Sequence, residues 1–204
     1  MNRTTKLLVR DQDKKYLDIV VSSKIPKIIN RKEYTRLQEL KNRIDSKDWD
    51  RNKKFSNDYE LIHIPNKRKK SDSIALYEPL SRSYFKMVEI IFDFKLFEKC
   101  KSPYFKSAHI AEGPGGFMEA TYNLSHNLNR FKEYKYYGIT LFSNNKDIPG
   151  WNKAINFINS DEDIVISYGE DGTGNIYNSN NINNFSNLCG FNSCDLVTAD
   201  GGFD

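Results

Sequence analysis

The sequence predicts an α/β domain with a largely parallel sheet, preceded by a basic extension of helical and mixed structure. From Ser81 onward, short β-prone runs alternate with helical stretches, a pattern typical of βαβ units. Hydrophobic residues make up 38% of the 204 positions, which is enough for a buried core. No apolar run approaches the roughly 20 residues of a membrane span, and residues 1–10 lack a signal-peptide core. We therefore expect an intracellular protein, cytoplasmic or nuclear, without a membrane partner.

The first part of the chain, residues 1–75, is predicted to be a basic extension whose function the sequence does not indicate. Apolar residues at helical spacing predict an amphipathic helix over Arg31–Ile44, and Leu17–Val21 is predicted as a short strand. The charged run Asn66–Ser71 predicts a linker to the second part, residues 76–204. The net charge of +4 permits a nucleic-acid partner without requiring one.

The second part contains the predicted helices and strands of the α/β domain. Ser81 is expected to cap a helix that runs to about Phe97, and an asparagine-rich solvated loop is expected to lead into a short helix at Ile182–Leu188. The remaining predicted elements are a strand at Ser107–Ala111, a helix at Phe117–Leu128, and strands at Tyr136–Leu141, Asp163–Ser167 and Asp195–Asp200. A doubly wound sheet normally needs more strands, so we expect a fold truncated after about strand 4.

A glycine-rich turn, Gly113–Gly116, lies between the first strand and the following helix. Glycine allows a positive φ and lets a ligand approach the backbone closely. The start of the helix is expected to offer N–H groups and a positive dipole end to a carboxylate or phosphate. The alternative is that the tight turn needs glycine for its own geometry. The spacing fits neither the dinucleotide fingerprint nor the Walker phosphate loop.

Three segments, in the same order along the chain, resemble motifs of the FtsJ-like (RrmJ-type) RNA 2′-O-methyltransferases. The run Ala111-Glu112-Gly113-Pro114-Gly115-Gly116-Phe117 resembles motif I of that family. Residues 81–90 resemble the helix with the first catalytic lysine, at Lys86, and residues 199–203 resemble the strand end with the catalytic aspartate, at Asp200. The form Asp-Gly-Gly-Phe and the glycine-rich loop at 169–176 resemble the cap-specific mRNA enzymes most closely.

The resemblance implies a Rossmann-like fold that uses S-adenosyl-L-methionine to methylate ribose 2′-hydroxyls of RNA, at the capped end of mRNA. Lys86 and Asp200 would be the first two members of a Lys-Asp-Lys-Glu tetrad. The second lysine and the glutamate are then expected beyond Asp204, so the chain is expected to be an N-terminal fragment. The resemblance implies cofactor contacts by Ser81, Ala111, Glu112, Gly113, Pro114, Gly115, Gly116, Phe117, Asp171, Asn175 and Ile176.

Several alternatives stay open at this point. Lys86 is alternatively a helix-surface lysine that pairs with Glu89, and Asp200 is alternatively the start of a turn. At the position of Glu112 the family more often has a small residue, and at Asn175 the cap enzymes often carry an acid. The alternatives for the whole protein are a ribosomal-RNA 2′-O-methyltransferase and a catalytically inactive RNA-binding or scaffold module of the same fold.

The sequence predicts no metal site. The three cysteines are odd in number and match no zinc spacing, so we expect reduced thiols, and the three histidines are scattered. For RNA contacts, the candidates are Arg82 and the basic clusters of the first 75 residues. The abundance of asparagine, lysine and isoleucine is typical of AT-rich genomes such as those of large viruses.

Overall fold

The structure is a computed structural model that describes residues 30–43, 48, 52, 62, 74–145 and 148–201. The chain divides into two compact units, Met1–Asp58 and Tyr59–Asp204. The first unit contains helix α1 (Arg31–Asn42), on which Tyr34, Leu37 and Leu40 are about half exposed. This helix was predicted. The predicted strand at 17–21, the linker at 66–71 and the last residue of the predicted helix, Ile44, lie outside the described residues.

The second unit contains a four-stranded sheet whose strands are all parallel and follow the order β3-β2-β1-β4. Its elements are α2 (Ser83–Asp93), a 3-10 turn (Phe97–Lys99), β1 (Tyr104–Ile110), α3 (Gly116–Asn127), β2 (Glu133–Ile139), a 3-10 turn (Trp151–Lys153), α4 (Ile155–Ile158), β3 (Ile164–Ser167), α5 (Ser179–Cys189) and β4 (Leu196–Ala199). The predicted α/β fold is confirmed.

Helices cover both faces of the sheet because its strands are apolar on both sides. On one face, the buried residues include Phe105, Tyr136, Met87, Met118 and Trp151, from the sheet, α2, α3 and the second 3-10 turn. On the other face, α5 packs against the sheet, and the buried residues there are Ala108, Tyr137, Ile139, Phe185 and Cys189. Each large side chain removed from water contributes about 1.5–3 kcal/mol to this arrangement.

Helix α2 is shorter than the sequence predicts. A helix was expected over 81–97, whereas α2 spans Ser83–Asp93. The expected cap at Ser81 is wrong, because Arg82 is the N-cap residue and the hydroxyl groups of Ser81 and Ser83 hydrogen-bond to each other. The chain leaves the helix at Lys95, whose φ is 50°, and Phe97 then packs in an aromatic cluster of the core.

The first two strands begin three residues earlier than predicted. Residues 104–106 lie before the predicted strand, but they belong to β1, where Phe105 stacks on a neighbouring aromatic ring in the core. Strand β2 runs in parallel register with β1 over seven residue pairs, from Tyr104 with Glu133 to Ile110 with Ile139. The predictions for β3, β4 and α3 are confirmed to within one residue at each end.

The asparagine-rich stretch is more ordered than the sequence indicates. Helix α5 begins at Ser179 rather than at residue 182, because the side chain of Asn178 caps it by accepting the N–H of Asn180. The second 3-10 turn and α4 had no counterpart in the sequence analysis. Within the described ranges, no helix combines the length and apolar character needed to cross a membrane.

Candidate active site

Lys86 and Asp200 form an ion pair that joins α2 to the end of β4. Lys86 lies in the second turn of α2, and Asp200 directly follows β4, 114 residues further along the chain. The Lys86 Nζ donates to the Asp200 Oδ2 at 2.7 Å, and both side chains are about half exposed. The same ammonium lies 5.7 Å from the ring centroid of Phe117. The two predicted catalytic groups therefore converge beside the glycine turn.

A cavity of about 250 Å³ opens at the carboxyl ends of β1, β2 and β4, where parallel sheets bind their ligands. Five of the predicted site residues line this cavity: Ala111, Gly113, Asn175, Ile176 and Asp200. The other lining residues are Thr140, Leu141, Ile148, Pro149, Gly174, Tyr177 and Gly201. The fold therefore brings the motif I turn, the loop after β3 and the aspartate to one concave surface.

The glycine turn packs tightly against α2. Ala111 and Gly115 have positive φ values of 53° and 112°, which reverse the chain between β1 and α3. A Cβ on Gly116 would overlap the hydroxyl oxygens of Ser81 and Ser83. Gly116 is thus required for the close approach of α2 to the start of α3. Ser81 contacts the turn at this point.

Glu112 occupies the N-terminus of α3. Its Oε1 accepts the N–H groups of Phe117 at 2.7 Å and Met118 at 2.9 Å. The expectation that this helix start offers those N–H groups to a ligand is therefore wrong, because the protein's own carboxyl already takes them. The side chain is only 5% exposed. Burial raises the pKa of Glu112 to about 7, although the two N–H groups act in the opposite direction.

A second buried carboxyl, that of Glu119 on α3, hydrogen-bonds the segment that precedes α2. Glu119 accepts the hydroxyl of Tyr77 at 2.6 Å and the backbone N–H of Leu80 at 2.8 Å. Burial raises the pKa of Glu119 above its ordinary value. These bonds fix the entry of the chain into α2 and so help to set the position of Lys86.

The loop after β3 is organised by Asp171 and Asn181. The carboxylate of Asp171 accepts bonds from Thr173, Asn178 and Asn181, which hold its pKa well below the usual range. Asn181 is fully buried, accepts the N–H of Asp171 and donates to the carbonyl of Asn175 at 3.0 Å. Asp171 itself does not line the cavity. It holds the loop that places Asn175 and Ile176 in the cavity wall.

Sequence reasoning did not assign Thr140, Gly174 or Asn181 to the site. Thr140 accepts the N–H of Gly113 at 3.1 Å, and Gly174 lies so close to the Thr140 carbonyl that a Cβ would overlap it. For Thr140 the available signal was its position directly after β2, at the edge of the sheet where a ligand was expected, and Gly174 lies inside the loop at 169–176 that the sequence had already singled out. Asn181 gave no signal, because an asparagine-rich stretch has the composition of a solvated loop.

Replacing Asn181 with alanine is expected to loosen the loop that lines the cavity. The substitution removes the acceptor for the Asp171 N–H and the donor to the Asn175 carbonyl, and it leaves a cavity where the buried Asn181 amide was. We expect a loss of about 2–3 kcal/mol in the free energy of unfolding. We also expect weaker cofactor binding, measured by calorimetric titration.

The matched control is Asn184→Ala, at an exposed position on the same helix. It should change the free energy of unfolding by less than about 0.5 kcal/mol. Equal effects of the two substitutions, in urea unfolding and in ligand titration, would contradict the assigned role of Asn181.

Among the described residues, no group of three histidine, cysteine, aspartate or glutamate side chains is arranged to hold a metal ion. Cys100, Cys189 and Cys194 are free thiols. Trp151 is 6% exposed and packs in the core, where its ring contacts the position of Gly138. The candidate chemistry in the described part of the molecule is thus that of Lys86, Asp200 and the adjoining cavity.

A family model described as FtsJ-like methyltransferase matches residues 79–204, which is more than half of the chain. The matched range includes Lys86, Asp200, the glycine turn and every residue that lines the cavity. No curated protein and no solved structure matches the chain at a significant level.

Proposed function

The chain belongs to the FtsJ-like methyltransferase family, and we propose from this premise that it transfers a methyl group from S-adenosylmethionine to a ribose 2′-hydroxyl of RNA. The observation that carries the proposal is the ion pair between Lys86 and Asp200 beside the cavity. A lysine and an aspartate so far apart in sequence meet at the ligand-binding edge of the sheet. This geometry supports an enzyme rather than an inactive scaffold of the same fold.

The residues of the cavity fit S-adenosylmethionine. Gly113 and Gly174 expose backbone to the cavity, and the side chains of Leu141 and Ile176 provide apolar contact for a planar base. Asn175 adds an amide to the same wall, and we assign it to the base edge. The Ser81 hydroxyl, next to Gly116, is assigned to the polar amino-acid end of the cofactor.

When bound, the cofactor supplies an electrophilic methyl group on a positively charged sulfur. Asp200 lines the cavity and orients the Lys86 ammonium through the 2.7 Å bond. The ammonium can then donate to the ribose 2′-oxygen and hold it in line with the methyl group, which is positioning catalysis. Phe117, beneath the ammonium, limits its range of positions. The resemblance assigns proton removal to a second lysine, which stays a prediction.

Among RNA substrates, we propose the capped 5′ end of mRNA. The support is the Asp200-Gly201-Gly202-Phe203 form and the glycine-rich loop at 169–176, both of which resemble the cap-specific enzymes. Arg82, at the start of α2 and four residues before Lys86, is assigned to the RNA backbone. The basic clusters of residues 1–75 are assigned the same role.

The test is methyl transfer by the full-length protein to defined RNAs. We expect label from methyl-labelled cofactor on a capped transcript, little on the same transcript with a 5′-triphosphate, and little on a ribosomal-RNA fragment. Nuclease digestion and mass spectrometry should place the methyl group on a ribose near the cap. A capped transcript with 2′-deoxyribose at the acceptor position is the control and should take no label.

Two outcomes would contradict the proposal at different levels. Label on a base rather than a ribose would overturn the reaction. Equal ribose labelling of the ribosomal fragment and the capped transcript would overturn only the assignment to the cap.

A further inference from the structure

The carboxyl of Glu112 has no part in the proposed reaction, although its position is central to the cofactor site. Its two chain neighbours, Ala111 and Gly113, both line the cavity, and Glu112 itself is buried directly behind them. Its Oε1 is held by the first N–H groups of α3, which fixes the carboxyl at the carboxyl end of β1. A carboxyl in this position places a titratable charge next to the bound ligand.

Among the residues that the structure describes, no cationic side chain pairs with the Glu112 carboxyl. Asp200, after β4, acts on it repulsively, and the Lys86 ammonium of α2 is bonded to Asp200. Burial keeps His109, on β1, neutral by lowering its pKa to about 3. The nearest acid on α3, Glu119, is bonded to Tyr77 and Leu80. The end of β2 contributes Thr140, which carries no charge.

We propose that Glu112 makes the cofactor site selective for the cationic methyl donor over its neutral-sulfur product. S-adenosylmethionine carries a positive sulfonium, whereas S-adenosylhomocysteine has a neutral thioether at the same place. A buried negative charge beside the cavity stabilises the first ligand and leaves the second unaffected. This inference rests on the proposed function, and it gives the site a means of releasing product in favour of fresh donor.

The selectivity should depend on pH in a defined direction. Below pH 7 the Glu112 carboxyl is increasingly protonated and neutral, so the two ligands differ little in this interaction. Above pH 7 the carboxylate is charged and favours the sulfonium.

The test is Glu112→Gln, which keeps an oxygen to accept the two N–H groups and removes the charge. Both ligands are titrated calorimetrically into the full-length protein at pH 5.5 and pH 8. In the wild type, we expect the dissociation constant of S-adenosylhomocysteine, divided by that of S-adenosylmethionine, to rise about tenfold from pH 5.5 to pH 8. In the glutamine variant, we expect the ratio to stay constant and close to the wild-type value at pH 5.5.

The matched control is Glu133→Gln, which removes the charge of an exposed carboxyl at the start of β2, the end of that strand opposite the cavity. Its ratio should rise with pH as in the wild type. If the glutamine variant at position 112 keeps the wild-type ratio at both pH values while both ligands bind, the inference is overturned and the proposed function stands. If neither ligand binds the wild type, the proposed function fails, and the inference fails with it.

Discussion

Asp200→Asn and Lys86→Met should each lower methyl transfer to RNA by about a thousandfold. Each substitution keeps the approximate size of the side chain and removes its charge, so the 2.7 Å ion pair is lost while the fold is retained. Because neither residue belongs to the core, both variants should fold, and S-adenosylhomocysteine, whose sulfur is neutral, should bind both within a few-fold of the wild type even though Asp200 lines the cavity. The measurements are single-turnover methyl transfer by the full-length protein and calorimetric titration of the product.

Lys95→Met is the control for these variants, because it makes the same change at an exposed lysine just after α2. Lys95 pairs weakly with Glu98 at 4.0 Å and lies outside the cavity lining. Its activity should equal that of the wild type. Methyl transfer that survives in both the Asp200 and the Lys86 variant would remove the basis for their catalytic assignment.

The second prediction with a large expected effect is the pH dependence of stability, to which the buried imidazole of His109 contributes. This residue is fully buried between the hydroxyl groups of Ser107 and Thr198, at 2.9 and 2.7 Å. Burial lowers its pKa to about 3, against an ordinary value of 6.5. Its contribution to stability is therefore fully present above pH 6.5 and is lost as the pH falls towards 3, by about 5 kcal/mol over the whole range.

The titration of Glu112 changes the free energy of unfolding in the opposite direction over part of this pH range. Because its pKa is raised to about 7, its contribution is present below its ordinary pKa of 4.5 and is lost as the pH rises through 7. Between pH 4.5 and 6.5 the contributions of His109 and Glu112 change in opposite directions with pH. Together they should therefore change the free energy of unfolding of the wild type little in this range. Below pH 4.5 only the histidine effect continues, and it should remove about 2 kcal/mol by pH 3.

Urea unfolding at a series of pH values tests this balance. His109→Gln should lose stability steadily as the pH rises from 4.5 to 7, because the Glu112 effect is then unopposed. Glu112→Gln should instead lose stability as the pH falls from 6.5. In the wild type, the ring-proton NMR resonances of His109 should not titrate between pH 5 and 8. Titration of those resonances near pH 6.5 would contradict the assignment, even if the His109 variant does not fold.

The amphipathic periodicity of α2 and α3 and the β-propensity of all four strands were readable in the sequence, because each depends on neighbouring residues. The boundaries were less readable. Residues 104–106 lie outside the predicted strand, yet they belong to β1, where Phe105 packs in the core. Ser81 has the chemistry of a helix cap, but its hydroxyl bonds to Ser83 in the tight packing against Gly116.

For the candidate site, the family resemblance, the glycine turn and the two residues proposed for catalysis could be read from the amino-acid sequence, because short motifs contain the residue types that the chemistry needs. The three-dimensional fold was needed to show that Lys86 and Asp200 meet at 2.7 Å, that Glu112 accepts the first N–H groups of α3, and that Asn181 holds the loop at the cavity. These are contacts between residues distant in the chain or buried by packing. They depend on strand order and helix placement, which no local pattern contains.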